Sequence, residues 1–277
     1  QLLLSAVVLT LLVWDSNPQL LLATIQRCSI PLLLVALVLK TFTLGLHEFR
    51  LWLALNQPRP SILKTMEVGF ASGAMNLVFP ARAGDIAAVA LLRRRCKLSS
   101  GVAAYAIGMA SFFEAAVFGL MMLGILAWNS TQWKLLLGEN LHAQAFQSVT
   151  LLTLGGTAIV VLAALIGRRF QGGPEPEQRF SLRQMIRDGL RETSTGLTRP
   201  SYLLINTFVA AIEVWLMIAA FALASSALGL DLPAPWMMSG IVLGLSALSS
   251  LVLPPTYGAG PAAAAVFVFG LFGVPAA

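Results

Sequence analysis

The sequence predicts an all-α, polytopic membrane helix bundle with two opposed re-entrant helical hairpins in an inverted pseudo-repeat. Three observations carry that expectation. Of 277 residues, 57% are hydrophobic and 11% charged, whereas a water-soluble domain carries about 25% charged residues. The mean hydropathy of +0.81 is spread over successive apolar runs, which excludes a soluble enzyme on a single anchor. A helix-breaking motif recurs, once in each half. Together these predict one transmembrane domain over residues 1–277, with roughly six to eight helical segments. Its repeat-like halves cover about 29–127 and 148–277.

The run over 2–14 reads as a shortened first span and not a signal peptide, and with Gln1 and Ala277 both beside apolar runs, both ends read as trimmed. Helical runs follow at 29–47, 65–79, 101–127, 148–167, 201–229 and 236–253, with a last one from 261 to the end. A hydrocarbon core of about 30 Å needs about 20 helical residues. Segments 101–127 and 201–229 exceed that length, while 65–79 falls short and is expected to enter without crossing.

Fourteen of the 18 basic residues sit in three connecting stretches: Arg50 to Lys64, Arg93 to Lys97, and Arg168 to Arg199. Basic loops stay on the cytoplasmic side, so a multi-pass membrane protein with these loops inside is expected. The net charge of +6 therefore reads as orientation, and nucleic-acid binding is not expected. Within the third stretch, about 180–198, Leu182, Met185, Ile186 and Leu190 share one helical face and Arg183, Arg187 and Arg191 another. That pattern is an interfacial amphipathic helix, with a solvated helix between spans as the alternative.

The frame L-V-[FL]-P-x-x-x-G occurs at Leu77–Gly84 and again at Leu251–Gly258, 174 residues apart. Both copies are followed by small apolar helix formers. Pro80 and Gly84 in the first, and Pro254, Gly258 and Gly260 in the second, interrupt helices by removing a donor or admitting non-helical backbone. Broken backbone inside a membrane survives only when buried in protein or lining a wet cavity. The first break is approached from the basic side and the second from the side of Asp231, so the hairpins are expected to enter from opposite leaflets, as in secondary transporters. Asp85 stands where an N-cap would, and Pro261 where first-turn prolines occur. The two half-helix N-termini would favour an anionic group.

Lys40, Arg82, Asp85, Glu114 and Glu213 lie in or near the middle of apolar segments. Five such charges facing lipid would cost on the order of 12–17 kcal/mol, so they must face one another or a cavity. Lys40, Thr43, His47 and Arg50 make one polar stripe expected to look inward. Each of Lys40 and Glu213 reads either as a register-fixing ion pair or as a functional charge. Arg82 reads as a phosphate ligand in the break, and Asp85 either joins it or merely caps and neutralises it. His47, Glu48 and Glu67 are read as interfacial. With Tyr257 of the second break, the candidate substrate-binding set is Arg82, Asp85, Lys40, Glu114, Glu213, Arg50 and Tyr257. No zincin spacing, Walker loop or G-x-S-x-G elbow occurs, and Cys28 and Cys96 lie in no metal spacing. No catalytic residue, metal or cofactor is expected, and the chain is not expected to be an enzyme.

The stretch NLVFPARAGDIAAVALLRRR, the span holding Glu114, and LVLPPTYGAGPAAAAVFVFGLFGVPAA resemble the lysylphosphatidylglycerol synthase transmembrane-region family of flippase-like domains. The resemblance runs from about Leu33 to the end. It places the family's first motif on Pro80, Arg82, Gly84 and Asp85, its basic tract on Arg93 to Arg95, its late motif on Pro254, Gly258 and Gly260, and an arginine after the second span on Arg50. Ala115 and Phe118 stand where members usually have an arginine and an aspartate, and alanines replace an acidic residue after the late glycines, which puts an aminoacylated substrate in doubt. The resemblance implies movement of an anionic, aminoacylated, polyprenyl or hopanoid-type lipid between leaflets without chemistry. The implied partners are membrane lipids and a lipid-modifying or glycosyl transferase, with a homodimer left open. The alternatives are a non-transporting scaffold of such a transferase and a secondary transporter of a small anion.

Overall fold

The computed structural model describes residues 26–55, 60–78, 83–128, 130–131, 139–170, 181–230, 232, 234–252, 265–266 and 268. Among them the ordered segments are helical and no strand occurs. In chain order the helices are α1 (Ile30–Ala54), α2 (Ile62–Val78), α3 (Ala83–Cys96), α4 (Ser100–Trp128), α5 (Glu139–Gly167), α6 (Leu182–Leu197), α7 (Pro200–Ala227) and α8 (Pro235–Val252). Each apolar run between 29 and 253 is thus a helix, and the amphipathic stretch forms α6. The helix α1 runs seven residues beyond the apolar run that announced it, carrying His47, Glu48 and Arg50 inside its last turns.

Long apolar stretches become helices because a helix satisfies its own backbone donors and acceptors where no water can. Among the described residues four helices are long and apolar enough to cross a membrane: α1, α4, α7 and His142–Gly167 of α5. Their outward sides are aliphatic and aromatic, with Leu34, Leu37 and Val38 on α1 and Leu151, Leu154, Ile159 and Leu162 on α5 all exposed. Such a surface is untenable in water and ordinary in lipid. The protein is a membrane protein. The helices α2 and α3 pack against each other, and their connection lies outside the described residues. At 17 and 14 residues they reach only about 26 and 21 Å at 1.5 Å per residue. The helix α3 ends where Lys97 takes a left-handed φ of 55°, a conformation that cannot continue a helix.

Internal contacts divide the chain into two compact units, with boundaries inside α1, α4, α5 and α7. One comprises residues 1–43, 119–149 and 215–277. Its core is aliphatic: Met122, Leu126 and Val149 with Leu232, Met238, Ile241, Val242 and Val268. Polar atoms there are settled locally, His142 Nε2 lying 3.3 Å from the Leu126 carbonyl and Ser239 donating to the Pro235 carbonyl at 2.6 Å. Trp215 and Trp236 stack with ring centroids 5.4 Å apart.

The other unit comprises 44–118 and 150–214. Its main core joins Leu51 and Ala54 of α1 and Leu55 just after it with Val102, Tyr105, Ala106, Met109 and Phe113 of α4 and Ala210 of α7. A smaller cluster joins Val68 of α2 with Ala88 and Leu92 of α3 and Ala103 of α4. The helix α6 is capped by Ser181, whose hydroxyl accepts from Gln184 N. It buries a polar face, Asp188, Glu192, Thr193 and Ser194, and turns Leu182 and Ile186 outward. Close approach makes this fit: a Cβ on Gly167 would overlap the Leu190 carbonyl, and one on Gly101 would sit 2.5 Å from the Met185 carbonyl oxygen.

Candidate functional site

Three helices of the second unit bring ionisable side chains to one point. On α1, His47 and Arg50 are three residues apart and so share a face. On α4, Glu114 sits mid-helix between Phe113 and Ala115, and on α7 Glu213 sits mid-helix between Ile212 and Val214. Arg50 Nε is 2.8 Å from Glu213 Oε2, and Arg50 Nη2 is 3.4 Å from Glu114 Oε2. His47 Nδ1 is 3.4 Å from Glu114 Oε2 and 3.5 Å from Glu213 Oε1. It is also 3.3 Å from Arg50 Nη2, so one imidazole nitrogen faces a donor and two acceptors together. Its tautomer and charge decide which contact is a hydrogen bond.

The cluster has a sealed side and an open one. The side chains of Arg50 and Glu213 are 0% and 3% exposed, those of His47 and Glu114 35% and 27%. The apolar core of α1, α4 and α7 surrounds the sealed side, which strengthens the ion pair and makes any unpaired charge there costly. Glu48, next in sequence to His47, is buried with Oε2 unpartnered. It lies so near Gly69 of α2 that a Cβ there would overlap the Glu48 carboxylate. The cluster thus sets two carboxylates against one guanidinium and one imidazole, with the buried Glu48 carboxyl beside α2.

The same α7 face continues upstream of Glu213. Asn206, fully buried, donates to the Tyr202 carbonyl at 3.0 Å and leaves Oδ1 without a partner. The Tyr202 ring meets Phe113 edge-on, centroids 5.9 Å apart. Tyr202, Asn206 and Glu213 recur at helical spacing, a polar stripe within an apolar helix that sequence inspection can find and that the search for charges alone passes over.

Could the cluster hold a metal? His47 Nδ1 and one oxygen each from Glu114 and Glu213 lie within 4.8 Å of one another. The guanidinium of Arg50 already sits against both carboxylates, so a divalent cation would have to displace it.

Of the residues singled out in the sequence, the structure gathers Arg50, Glu114 and Glu213. Lys40 does not turn inward with its stripe: it is exposed on α1, while Thr43 is buried and donates to the Lys40 carbonyl at 2.7 Å. His47 and Glu48, read as interfacial, are members of the cluster and its immediate surroundings. Asp85 lies in the first turn of α3, half-buried, two residues inside a helix that begins at Ala83, and Gly84 is buried beside it. Pro80, Arg82, Pro254, Tyr257, Gly258 and Gly260 lie outside the described residues. Glu67 is paired with Arg95 of α3 at an exposed position.

The family model described as "Lysylphosphatidylglycerol synthase TM region" matches residues 1–277. No curated protein and no solved structure matches.

Proposed function

The chain belongs to the lysylphosphatidylglycerol synthase TM region family, and from that premise we propose that it carries a lipid between leaflets without chemical change. The observation that carries this reading is the ion cluster of His47, Arg50, Glu114 and Glu213. Charges held inside apolar helices cost free energy that packing alone does not require, and they mark pathways for polar cargo.

A carboxylate at the partly exposed edge of the cluster, Glu114, favours a head group that brings a cation. An aminoacylated phospholipid offers an ammonium to Glu114 and a phosphate to His47, the two members of the cluster that are partly exposed. The exposed aliphatic sides of the helices let the acyl chains stay in the bilayer while the head group passes. We take α2 and α3, each too short to span, as the arms of a re-entrant hairpin, with the second break completing an inverted repeat that rocks between two states. The basic stretches face the cytoplasm of a bacterial inner membrane in this scheme.

Reconstitution into vesicles tests it. Leaflet transfer of an aminoacylated phospholipid is expected to slow in Glu114→Gln by about tenfold to a hundredfold, the loss of one charge-assisted contact of about 1.5–3 kcal/mol. Glu67→Gln, at the exposed pair, serves as control. Transfer unchanged in Glu114→Gln would overturn the proposal and turn attention to a transferase scaffold or a carrier of a small anion.

A further inference from the structure

A groove of about 780 Å³ lies between the end of α5 and the first turns of α6, lined by Phe170, Ser181, Leu182, Arg183, Gln184, Ile186 and Arg187. Its character follows from the order of residues along α5. The apolar stretch His142–Gly167, long enough to cross a membrane, stops at Gly167, and Arg168 and Arg169 follow at once, both exposed. Arginines immediately after a spanning segment mark the level of the lipid phosphates. Phe170 comes next, so the groove opens at that level.

The second wall is α6, held against α5 by the close approach of Gly167 to the Leu190 carbonyl. The helix separates its charges by sign. Asp188 and Glu192 are buried, Asp188 lying 3.6 Å from Arg187 Nε and Glu192 accepting from Arg191 at 2.7 Å. Arg183 is exposed in the groove wall, and Leu182 and Ile186 beside it are exposed as well. On α5 the last apolar turn likewise exposes Leu165 and Ile166. A surface offering guanidinium groups and bare aliphatic side chains together suits a ligand with an anionic head and a hydrocarbon body.

We propose that this groove is a binding site for an acidic membrane phospholipid, its phosphate held by Arg183 and Arg187 and its acyl chains lying along Leu182 and Ile186. The site is independent of the ion cluster and does not rest on transport. A soluble anion would have no use for the exposed leucine and isoleucines, and a zwitterionic phospholipid would set its own ammonium against the arginines.

The test uses the whole chain in neutral detergent, titrated separately with phosphatidylglycerol, phosphatidylcholine and inorganic phosphate, and read by native mass spectrometry and by the unfolding midpoint. Phosphatidylglycerol is expected to be retained and to raise the midpoint saturably, the other two not. Each neutralised arginine should weaken its binding about fivefold, so Arg183→Gln loses about fivefold and Arg183→Gln with Arg187→Gln about 25-fold. Arg93→Gln with Arg94→Gln, the same charge removed from α3, should leave binding unchanged. Because Arg187 also faces Asp188, the double variant is expected to lose stability, and Arg183→Gln, at an exposed position, then decides alone. A photoactivatable phosphatidylglycerol should label the peptide spanning 181–187. Equal retention of phosphatidylcholine, equal protection by free phosphate, equal loss in the α3 double variant, or labelling elsewhere would each overturn the proposal.

Discussion

The two compact units solve the same packing problem with different chemistry. The unit built on Met122, Leu126, Met238 and Val242 fills its centre with aliphatic side chains and settles its polar atoms within one helical turn or against a nearby carbonyl. The unit built on Leu51, Tyr105, Phe113 and Ala210 also carries a buried guanidinium and a buried carboxylate drawn from different helices. Aliphatic filling is the cheaper solution, since a buried ion pair is often no more stable than its hydrophobic replacement. The charged unit therefore carries a cost that function has to explain, and among the described residues the other does not.

The sharpest way to break the comparison is to remove Glu213. In Glu213→Leu the fully buried Arg50 loses its 2.8 Å partner and keeps Glu114 at 3.4 Å, so the loss is expected near the lower end of the about 3–5 kcal/mol that breaking a buried pair costs. Unfolding in detergent should show that loss, together with loss of lipid transfer. Arg50→Leu with Glu213→Leu should regain most of the stability and none of the transfer. If the double variant stayed as unstable as the single one, the pair would be structural and the contrast between the units would fall.

How far the sequence foretells these differences depends on the kind of information involved. Helix positions were legible, because the length of an apolar run is written directly in the residues. Glu114 and Glu213 stood out for the same reason: a carboxylate in an apolar span is conspicuous whatever it touches. Which charges meet was not legible, because that depends on how α1, α4 and α7 are rotated about their axes, a property of packing. Lys40 and Arg50 share a stripe, yet one is exposed and the other fully buried. His47 and Glu48 were assigned to the edge because the apolar run was taken to stop there, whereas α1 continues to Ala54. Asn206 and Tyr202 were passed over because they are uncharged.

A second substitution probes the aliphatic unit. Met238 is fully buried in α8, and Met238→Ala leaves a cavity worth about 2–5 kcal/mol. Several methionines line the same region, Met122 and Met237 among them, and flexible thioethers collapse into gaps readily, so the lower end of that range is expected. Vesicle assays should find transfer per folded molecule unchanged. A variant that folded but failed to transfer would place function in the aliphatic unit too.

The smallest expected effect isolates burial from charge. Arg95 of α3 pairs with Glu67 of α2 within the same unit as Arg50, but its side chain is 53% exposed and that of Glu67 58%. Exposed pairs gain little, because solvent screens the attraction and two long side chains must be held still. Arg95→Ala should therefore change the unfolding free energy by no more than about 1 kcal/mol, and the change should shrink further at high salt. The pair Arg50–Glu213 should be nearly insensitive to salt. If both pairs answered alike, charge and not burial would distinguish this unit; if they part as expected, the sealed side of the cluster is what makes its ions consequential.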